Sequence, residues 1–335
     1  MMIMPERALL ERYGISEADL APASAEAKAA VDLMRPSVSY WKDAVRRFRR
    51  NKLAMFMLCL LLTIILLAIF GPVFSPYSYR DQLRDAVREG PSLAHPLGTD
   101  RMGRDIFVRV MFGTRISLLV GFVTMILVGI IGITYGGVSA YIGGWGDNIM
   151  MRIVDLLMSI PTILIIIILS VATHDLFSAM LSNKALLGIT SMGSGLLSIF
   201  IVLALFNWLG MARAVRGALL MNRSQEYVLA SEAMGARPRW VIVKHLLPNS
   251  IGVIIINATG IVPGAIMTES FLSFIGLGVA APVPSLGSLA NDALNGVVSY
   301  PMNMVYPALL ISLIILCFNV LGDALRDALD PRLRK

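Results

Sequence analysis

Long apolar stretches, almost free of charge, alternate along this chain with shorter polar ones. Six stand out: Leu53 to about Ser75, Ile116–Tyr135, Ile149–Val171, Gly195–Ala212, Ile251–Phe274 and Val305–Gly322. Each is close to the ~20 residues that a helix needs to cross a bilayer. The runs are continuously apolar and do not alternate, so they predict helices and not barrel strands. The pattern predicts an all-α integral membrane protein with six transmembrane helices.

Composition agrees with the pattern. Of 335 residues, 56% are hydrophobic and only 15% charged, with a mean hydropathy of +0.73. A water-soluble enzyme, a disordered chain and a secreted disulfide scaffold are excluded together. Cys59 and Cys317 lie far apart inside apolar runs, where they read as packing residues and not as a metal cluster. Residues 1–52 carry charge throughout and hold no apolar stretch, so they are not expected to be a cleaved signal. Neither a glycine after the first methionine nor a C-terminal cysteine box is present, and lipid anchoring is not indicated.

Charge then gives sidedness. The net charge is +7, with the basic residues sitting between apolar runs, which fits topology and not nucleic-acid binding. If both termini are cytoplasmic, 21 of the 29 basic residues fall inside, and the positive-inside rule favours that orientation. Seven of the other eight lie in one outside segment, Pro76–Arg115, offset by five acidic residues. The expected organisation is a cytoplasmic tail over 1–52, a first span over 53–75 and an external segment over 76–114 with an amphipathic helix. A five-span core over 115–326 and a short cytoplasmic tail over 327–335 follow. In the external segment, Ile106 with Val110 and Phe107 with Met111 are i,i+4 pairs, which suggests a helix lying on the outer leaflet.

Several polar residues interrupt the spans. Arg152 and Asp155 are three apart and can pair on one helical face. Glu269 is either hydrogen-bonded at a helix interface or lines a wet pathway, because an unpaired carboxylate at that depth is costly. Asn207, Asn257 and Asn319 read as interhelical hydrogen-bonding groups, with pore lining as the second reading. Pro263-Gly264, after Gly260, predicts a kink or break near mid-membrane. Glu269, Asn257, Pro263 and Asn319 are therefore the candidate pathway or gate residues.

The loop 213–249 carries the clearest local signals. Ser224 reads as an N-cap, with Glu226 in the first turn where the helix dipole favours an acid. Tyr227, Ala230, Ser231 and Met234 recur at helical spacing; Gly235 is a natural stop, and Pro238 follows it. Eleven residues make a rod of roughly 16 Å, too short to span a membrane. A second short helix is expected over Trp240–Leu247, ending at Pro248. The loop is either an ordinary interfacial helix or a helix that docks in a groove of a cytoplasmic partner.

These residues resemble the EAA loop of ABC-importer permeases, whose pattern is Glu-Ala-Ala, three residues, Gly, nine residues, Ile-x-Leu-Pro. Ala230, Gly235, Leu247 and Pro248 match at the right spacing, while Leu229, Ser231 and His245 replace the glutamate, the second alanine and the isoleucine. His95-Pro96-Leu97-Gly98-Thr99-Asp100-Arg101-Met102-Gly103-Arg104-Asp105 is similar to the outside motif of the C-type permease subunit of oligopeptide and dipeptide importers. So are Gly143-Gly144-Trp145 with Met151-Arg152, Glu269 to Gly278, Pro284-Ser285-Leu286-Gly287, and the ending Phe318 to Asp323 with Leu325 to Pro331. The resemblance covers about residues 41–335; the departures are the long N-terminal tail and an enlarged segment near 173–194.

The resemblance implies a type I ABC importer permease fold. It also implies that Glu226, Tyr227, Ala230, Ser231, Gly235, Ala236, Leu247 and Pro248 meet an ATP-hydrolysing subunit. It further implies a homologous second permease, two ATPase subunits, an external solute-binding protein and peptide cargo, in a cell inner membrane. ATP and Mg would belong to the partner subunits, since no Gly-x-x-x-x-Gly-Lys-Ser/Thr loop occurs here. His95, His174 and His245 are scattered and form no catalytic or metal arrangement, so neither an enzyme nor a bound cofactor is expected. The competing readings are a nickel or metal-complex importer of the same build, an ion-gradient-driven secondary transporter and an intramembrane enzyme.

Overall fold

The computed structural model of the chain describes residues 40–181, 194–279 and 281–329. The chain divides into two units, Met1–Arg46 and Arg47–Lys335. Helix α1 (Tyr40–Arg50) places Arg47, Arg49 and Arg50 in its last turn, where the negative end of the helix dipole favours them. The remaining elements form the second unit.

Helix α2 (Lys52–Phe74) begins where Asn51 Oδ1 accepts the Ala54 amide at 3.1 Å, an N-cap that separates the basic cluster from the apolar run. Pro72 inside this helix has no N–H for the Ala68 carbonyl four residues back. Arg115 fills that role from the neighbouring helix, its guanidinium donating to the carbonyls of Ala68 and Ile69.

Helix α3 (Ile106–Ile142) has 37 residues, about 55 Å at 1.5 Å per residue, well beyond a ~30 Å hydrocarbon core. Residues 106–114 are thus the opening turns of a span and not a separate helix on the leaflet. Ile106, Val108, Arg109 and Val110 are all buried there. The amphipathic pairs at Ile106 and Phe107 face protein neighbours: Ile106, Val110 and Met111 belong to a core with Leu286 and Leu289, and Phe107 packs against it.

Helix α4 (Gly144–Ser159) and helix α5 (Thr162–Leu181) meet at an 83° bend, so the third expected span is a bent pair and not one rod. Ile160 is extended (φ −85°, ψ 133°), as a residue before proline must be, since Pro161 disfavours helical geometry at the position it follows. Helix α6 (Ser194–Arg223) continues 11 residues past the expected end at Ala212. Gly132 and Gly136 of α3 let it approach: a methyl group at Gly136 would sit 2.3 Å from the Ala212 carbonyl oxygen. This is small-residue packing of the kind that brings membrane helices together.

Helix α7 (Glu226–Ala233) and helix α8 (Pro238–Val241) follow. A π-turn over Ile242–Leu246 then joins α8 to helix α9 (Leu247–Phe274) without interruption. Pro248 therefore does not end the second short helix. The wider turn, in which the Leu247 amide reaches the Ile242 carbonyl, absorbs the proline that would otherwise clash with the preceding turn. Nor does Pro263 break α9, which stays helical through Gly260 and Gly264. Helix α10 (Leu286–Ala293) opens on a reciprocal Ser285–Ser288 capping box, and helix α11 (Met302–Leu329) closes the described chain.

Three apolar clusters hold the unit. One gathers Leu61, Val110, Ile266, Ile314 and Phe318; a second Val120, Leu196, Leu203 and Leu272; a third Val128, Met211, Leu219, Val228, Leu246 and Ile254. Among the described residues, five helices are long and apolar enough to cross a membrane, or six with the bent pair as one span. The two ends of α3 name the Asp105 end and the Gly143 end. Residues 182–193, inside the enlarged segment, lie outside the described residues, as do the tails 1–39 and 330–335.

Candidate coupling site

At the Gly143 end, α7 is a short helix set by its caps. Gly235 (φ +81°) takes the left-handed conformation that ends helices, as its position in the sequence predicts. The Ala236 amide reaches the Ser231 carbonyl at 3.1 Å and the Gly235 amide reaches Glu232 at 2.9 Å, which is the Schellman pairing. The N-terminus differs from expectation. Gln225 occupies the cap position without a side-chain bond, and the Ser224 hydroxyl instead donates back to the Met221 carbonyl at 3.3 Å.

One face of α7 is sealed and the other open. Val228 and Ser231 are buried against the third apolar cluster. Tyr227 (42% exposed), Leu229 (53%) and Met234 (83%) are open to solvent, with Glu226 and Ala230 beside them. The expected stripe of Tyr227, Ala230, Ser231 and Met234 thus splits, because Ser231 turns inward while the other three face out. Ser231 Oγ is buried without a hydrogen-bond partner. Ala236 and Leu247 are partly buried and Pro248 is exposed. Trp240 packs edge-on to His245 at 4.8 Å, and Asn249 donates to the Tyr227 hydroxyl at 2.9 Å, so α7 is tied to the start of α9. Asn222, near the end of α6, donates to Ser250 of α9 at 2.8 Å.

Ion pairs anchor this end to the spans. Arg216 of α6 grips Asp147 of α4 with both nitrogens, at 2.6 and 2.5 Å, and Ser139 adds a bond at 2.5 Å. Arg213 pairs with Asp155 at 2.5 Å, so Asp155 is held by α6 and not by Arg152, which is exposed on its own helix. Arg223 donates to the carbonyls of Ala140 and Tyr141 at the end of α3, where a cation complements the dipole. These pairings explain why α6 extends through residues that look like loop.

The Asp105 end is built differently. Asp105 caps α3, Oδ1 accepting the Val108 amide at 2.8 Å, and its Oδ2 meets His95 Nδ1 at 2.7 Å. Asp100 accepts the amides of Met102 and Arg104 at 2.8 and 3.0 Å. It also accepts Arg104 Nε at 2.7 Å and Arg109 Nη1 at 2.6 Å. Burial pushes the Asp100 carboxyl up, but those amides and the two guanidiniums outweigh it and hold it below the ordinary carboxylate value.

Glu269, fully buried, accepts hydrogen bonds from Ser117 at 2.9 Å, Ser273 at 2.8 Å and Ser270 at 3.4 Å. Ser117 Oγ also receives the Leu286 amide at 3.4 Å. Of the two readings of Glu269, the structure places it at a helix interface, where it joins α3, α9 and α10.

Comparison with known proteins follows this geometry. Residues 130–335 match the family described as binding-protein-dependent transport system inner membrane component. Residues 39–94 match the N-terminal TM domain of oligopeptide transport permease C. The chain belongs to this permease family. It is 44% identical over 314 residues to the oligopeptide transport system permease protein OppC of Bacillus subtilis, covering 94% of this chain and 97% of that protein. It is 45% identical over 309 residues to the dipeptide transport system permease protein DppC of the same organism, covering 92% of this chain and 91% of that one. The glutathione transport system permease protein GsiD of Pectobacterium atrosepticum is 36% identical, over 88% and 92% of the two chains. Among solved structures, a chain from inward-facing conformations of the MetNI methionine ABC transporter aligns with a TM-score of 0.51 at 21% identity, covering 67% of this chain and 96% of that chain. The fold is that of a type I ABC importer permease. The protein is a multi-span membrane permease and not itself an enzyme.

In this permease two of the asparagines expected between helices bond within their own. The Asn257 and Asn207 amides donate to carbonyls four residues back on their own helices, Val253 at 2.8 Å and Leu203 at 3.0 Å. The interhelical bonds expected of them are replaced by bonds within each helix. Asn319 is exposed on α11, while Pro263 is buried in α9. Sequence reasoning missed the Asp147–Arg216 clamp. Its signal was present as an unexplained acid after Gly143-Gly144-Trp145 and an unexplained arginine near the end of an apolar run.

Proposed function

We propose that this permease forms half of a translocation pathway for peptides and is driven by separate ATP-hydrolysing subunits through α7. The carrying observation is that Tyr227, Leu229 and Met234 are exposed around the open side of α7, with Glu226 and Ala230 between them, while Val228 and Ser231 are buried and Asn249 bonds the Tyr227 hydroxyl. Exposed apolar surface on a rigid mount is what a groove on a partner recognises. Glu226, Tyr227, Ala230, Gly235 and Ala236 would contact the ATPase. Ser231, Leu247 and Pro248 would support that contact from below. ATP and Mg stay in those subunits. Because the closed and open ATPase pair hold such a helix in different positions, each nucleotide state favours one permease conformation, and that difference drives transport.

Peptide cargo is supported by the oligopeptide and dipeptide permeases that the chain resembles over nearly its whole length. The assembly comprises this chain, a homologous second permease, two ATPase subunits and an extracytoplasmic solute-binding protein. Both termini are cytoplasmic, which puts α7 on the ATPase side and the Asp105 end on the binding-protein side. Gly235→Glu tests the coupling. The complex should still assemble in the membrane, but ATP-driven uptake in proteoliposomes should fall at least tenfold. Unchanged uptake would reject the proposal. Cargo is tested by mass spectrometry of the ligand retained on the co-purified binding protein; a bound metal complex in place of peptide would reject that part.

A further inference from the structure

Seven arginines lie in the segment 76–115, of which Arg104, Arg109 and Arg115 bond within the fold. Four of them, Arg88, Arg101, Arg104 and Arg109, line one cavity of about 110 Å³ at the Asp105 end, with only two carboxylates, Asp100 and Asp292. Both carboxylates are occupied. Asp100 binds Arg104 and Arg109, and Asp292 Oδ2 receives the same two guanidiniums at 3.3 and 3.1 Å. Arg88 and Arg101 therefore face the cavity without an ion-pair partner among the described residues, leaving an excess of two positive charges. The Arg88 guanidinium is held over the Tyr300 ring, 5.1 Å from its centroid. Arg109 is only 5% exposed, and its Nε is buried with no partner.

Ile106, Val110, Leu289 and Ala293 give the cavity one apolar wall, and Asn295 and Asn303 add neutral polar groups. Ile106 opens helix α3, ten residues ahead of the apolar run that begins at Ile116, so the cavity sits at the polar end of a helix apolar enough to cross a membrane. A cavity that joins unpaired guanidiniums to an apolar wall suits a ligand carrying both an anion and hydrocarbon, and a tetrahedral phosphate offers acceptors to guanidiniums arriving from several directions. We propose that this cavity binds a phosphate oxyanion, with the headgroup of an anionic phospholipid as its source. The phosphate lies toward Arg88 and Arg101, and the glycerol against the apolar wall.

The test uses the purified full complex of wild type, Arg88→Gln/Arg101→Gln and Arg80→Gln/Arg84→Gln. The last pair removes equal charge from the same segment outside the cavity. Native mass spectrometry would read retained phosphatidylglycerol against phosphatidylcholine. Thermal midpoints in lipid-free detergent check that all three fold alike. Wild type and the Arg80/Arg84 variant should retain phosphatidylglycerol preferentially, and the Arg88/Arg101 variant should lose that preference by roughly fivefold or more per charge removed. Inorganic phosphate should compete for the wild-type site. Equal retention in all three proteins would overturn the proposal. Protection by inorganic phosphate without preferential lipid retention would overturn the lipid as the source.

Discussion

The two ends of the bundle treat polar and apolar groups in opposite ways. At the Asp105 end, charge is folded inward. Asp100 lies between Arg104 and Arg109, and His95 meets Asp105 with both side chains buried. At the Gly143 end the charges clamp helices from the flank, and the helix they support turns Leu229 and Met234 to solvent. The buried ion pairs around Asp100 and Asp105 close on one another, and among the described residues only Arg88, Arg101 and the Arg109 Nε are left for the cavity beside them. A region that leaves apolar surface open on a rigid mount is shaped for something outside the chain. The contrast separates residues that build the permease from residues that connect it.

The largest expected effect falls on the buried Asp100 network. Asp100→Ala leaves two buried guanidiniums with only the more exposed Asp292 and should cost about 3 kcal/mol, visible as a large drop in the thermal midpoint in detergent. A midpoint within a degree of wild type would show that this network does not hold the end together. Next, Arg115→Met strips the donors from the Ala68 carbonyl that Pro72 leaves unpaired, at about 1–3 kcal/mol. Adding Pro72→Ala, which restores the helix's own donor, should recover much of that loss; failure to do so would refute the pairing of the two residues.

Acid sharpens the same contrast. The folded-state value of Asp100 lies below its ordinary one, so its contribution is complete above the unfolded value of about 4. That contribution disappears as pH falls through the lower folded value. Wild type should thus lose stability below about pH 4 more steeply than Asp100→Asn, and parallel acid curves would contradict this. The smallest effect is at Ser231, whose buried hydroxyl lacks a partner where the family pattern has alanine. Ser231→Ala should leave stability unchanged or raise it by about 1 kcal/mol, with uptake intact. A clear loss of stability would mean that the hydroxyl is bonded after all.

Much of this was legible in the sequence. Apolar runs gave the spans, Gly235 ended α7, and the spacing from Ala230 to Pro248 marked the loop. What stayed hidden depended on tertiary partners. Arg109 and Arg115 look like residues outside a membrane, yet α3 runs through both because Asp100, Asp292 and the carbonyls of α2 receive their charges. Arg213 and Arg216 likewise hid the last turns of α6. The same spacing that marked Tyr227, Ala230, Ser231 and Met234 as one face could not tell which edge of that stripe meets the third core cluster. Proline was overread for a related reason. Pro248 is accommodated by a π-turn, and Pro263 sits inside an uninterrupted helix. Glu269 could be given two readings from sequence, because Ser117, which donates to it, comes from a helix distant along the chain.

The central claim is that the open face of α7 seats an ATPase subunit, and Leu229→Asp with Met234→Asp tests it most directly. Both side chains point to solvent in the isolated chain, so the permease itself should keep its thermal midpoint. Co-purification of the ATPase subunits with the double variant should drop at least tenfold relative to wild type. Full recovery of those subunits with the variant would contradict the account.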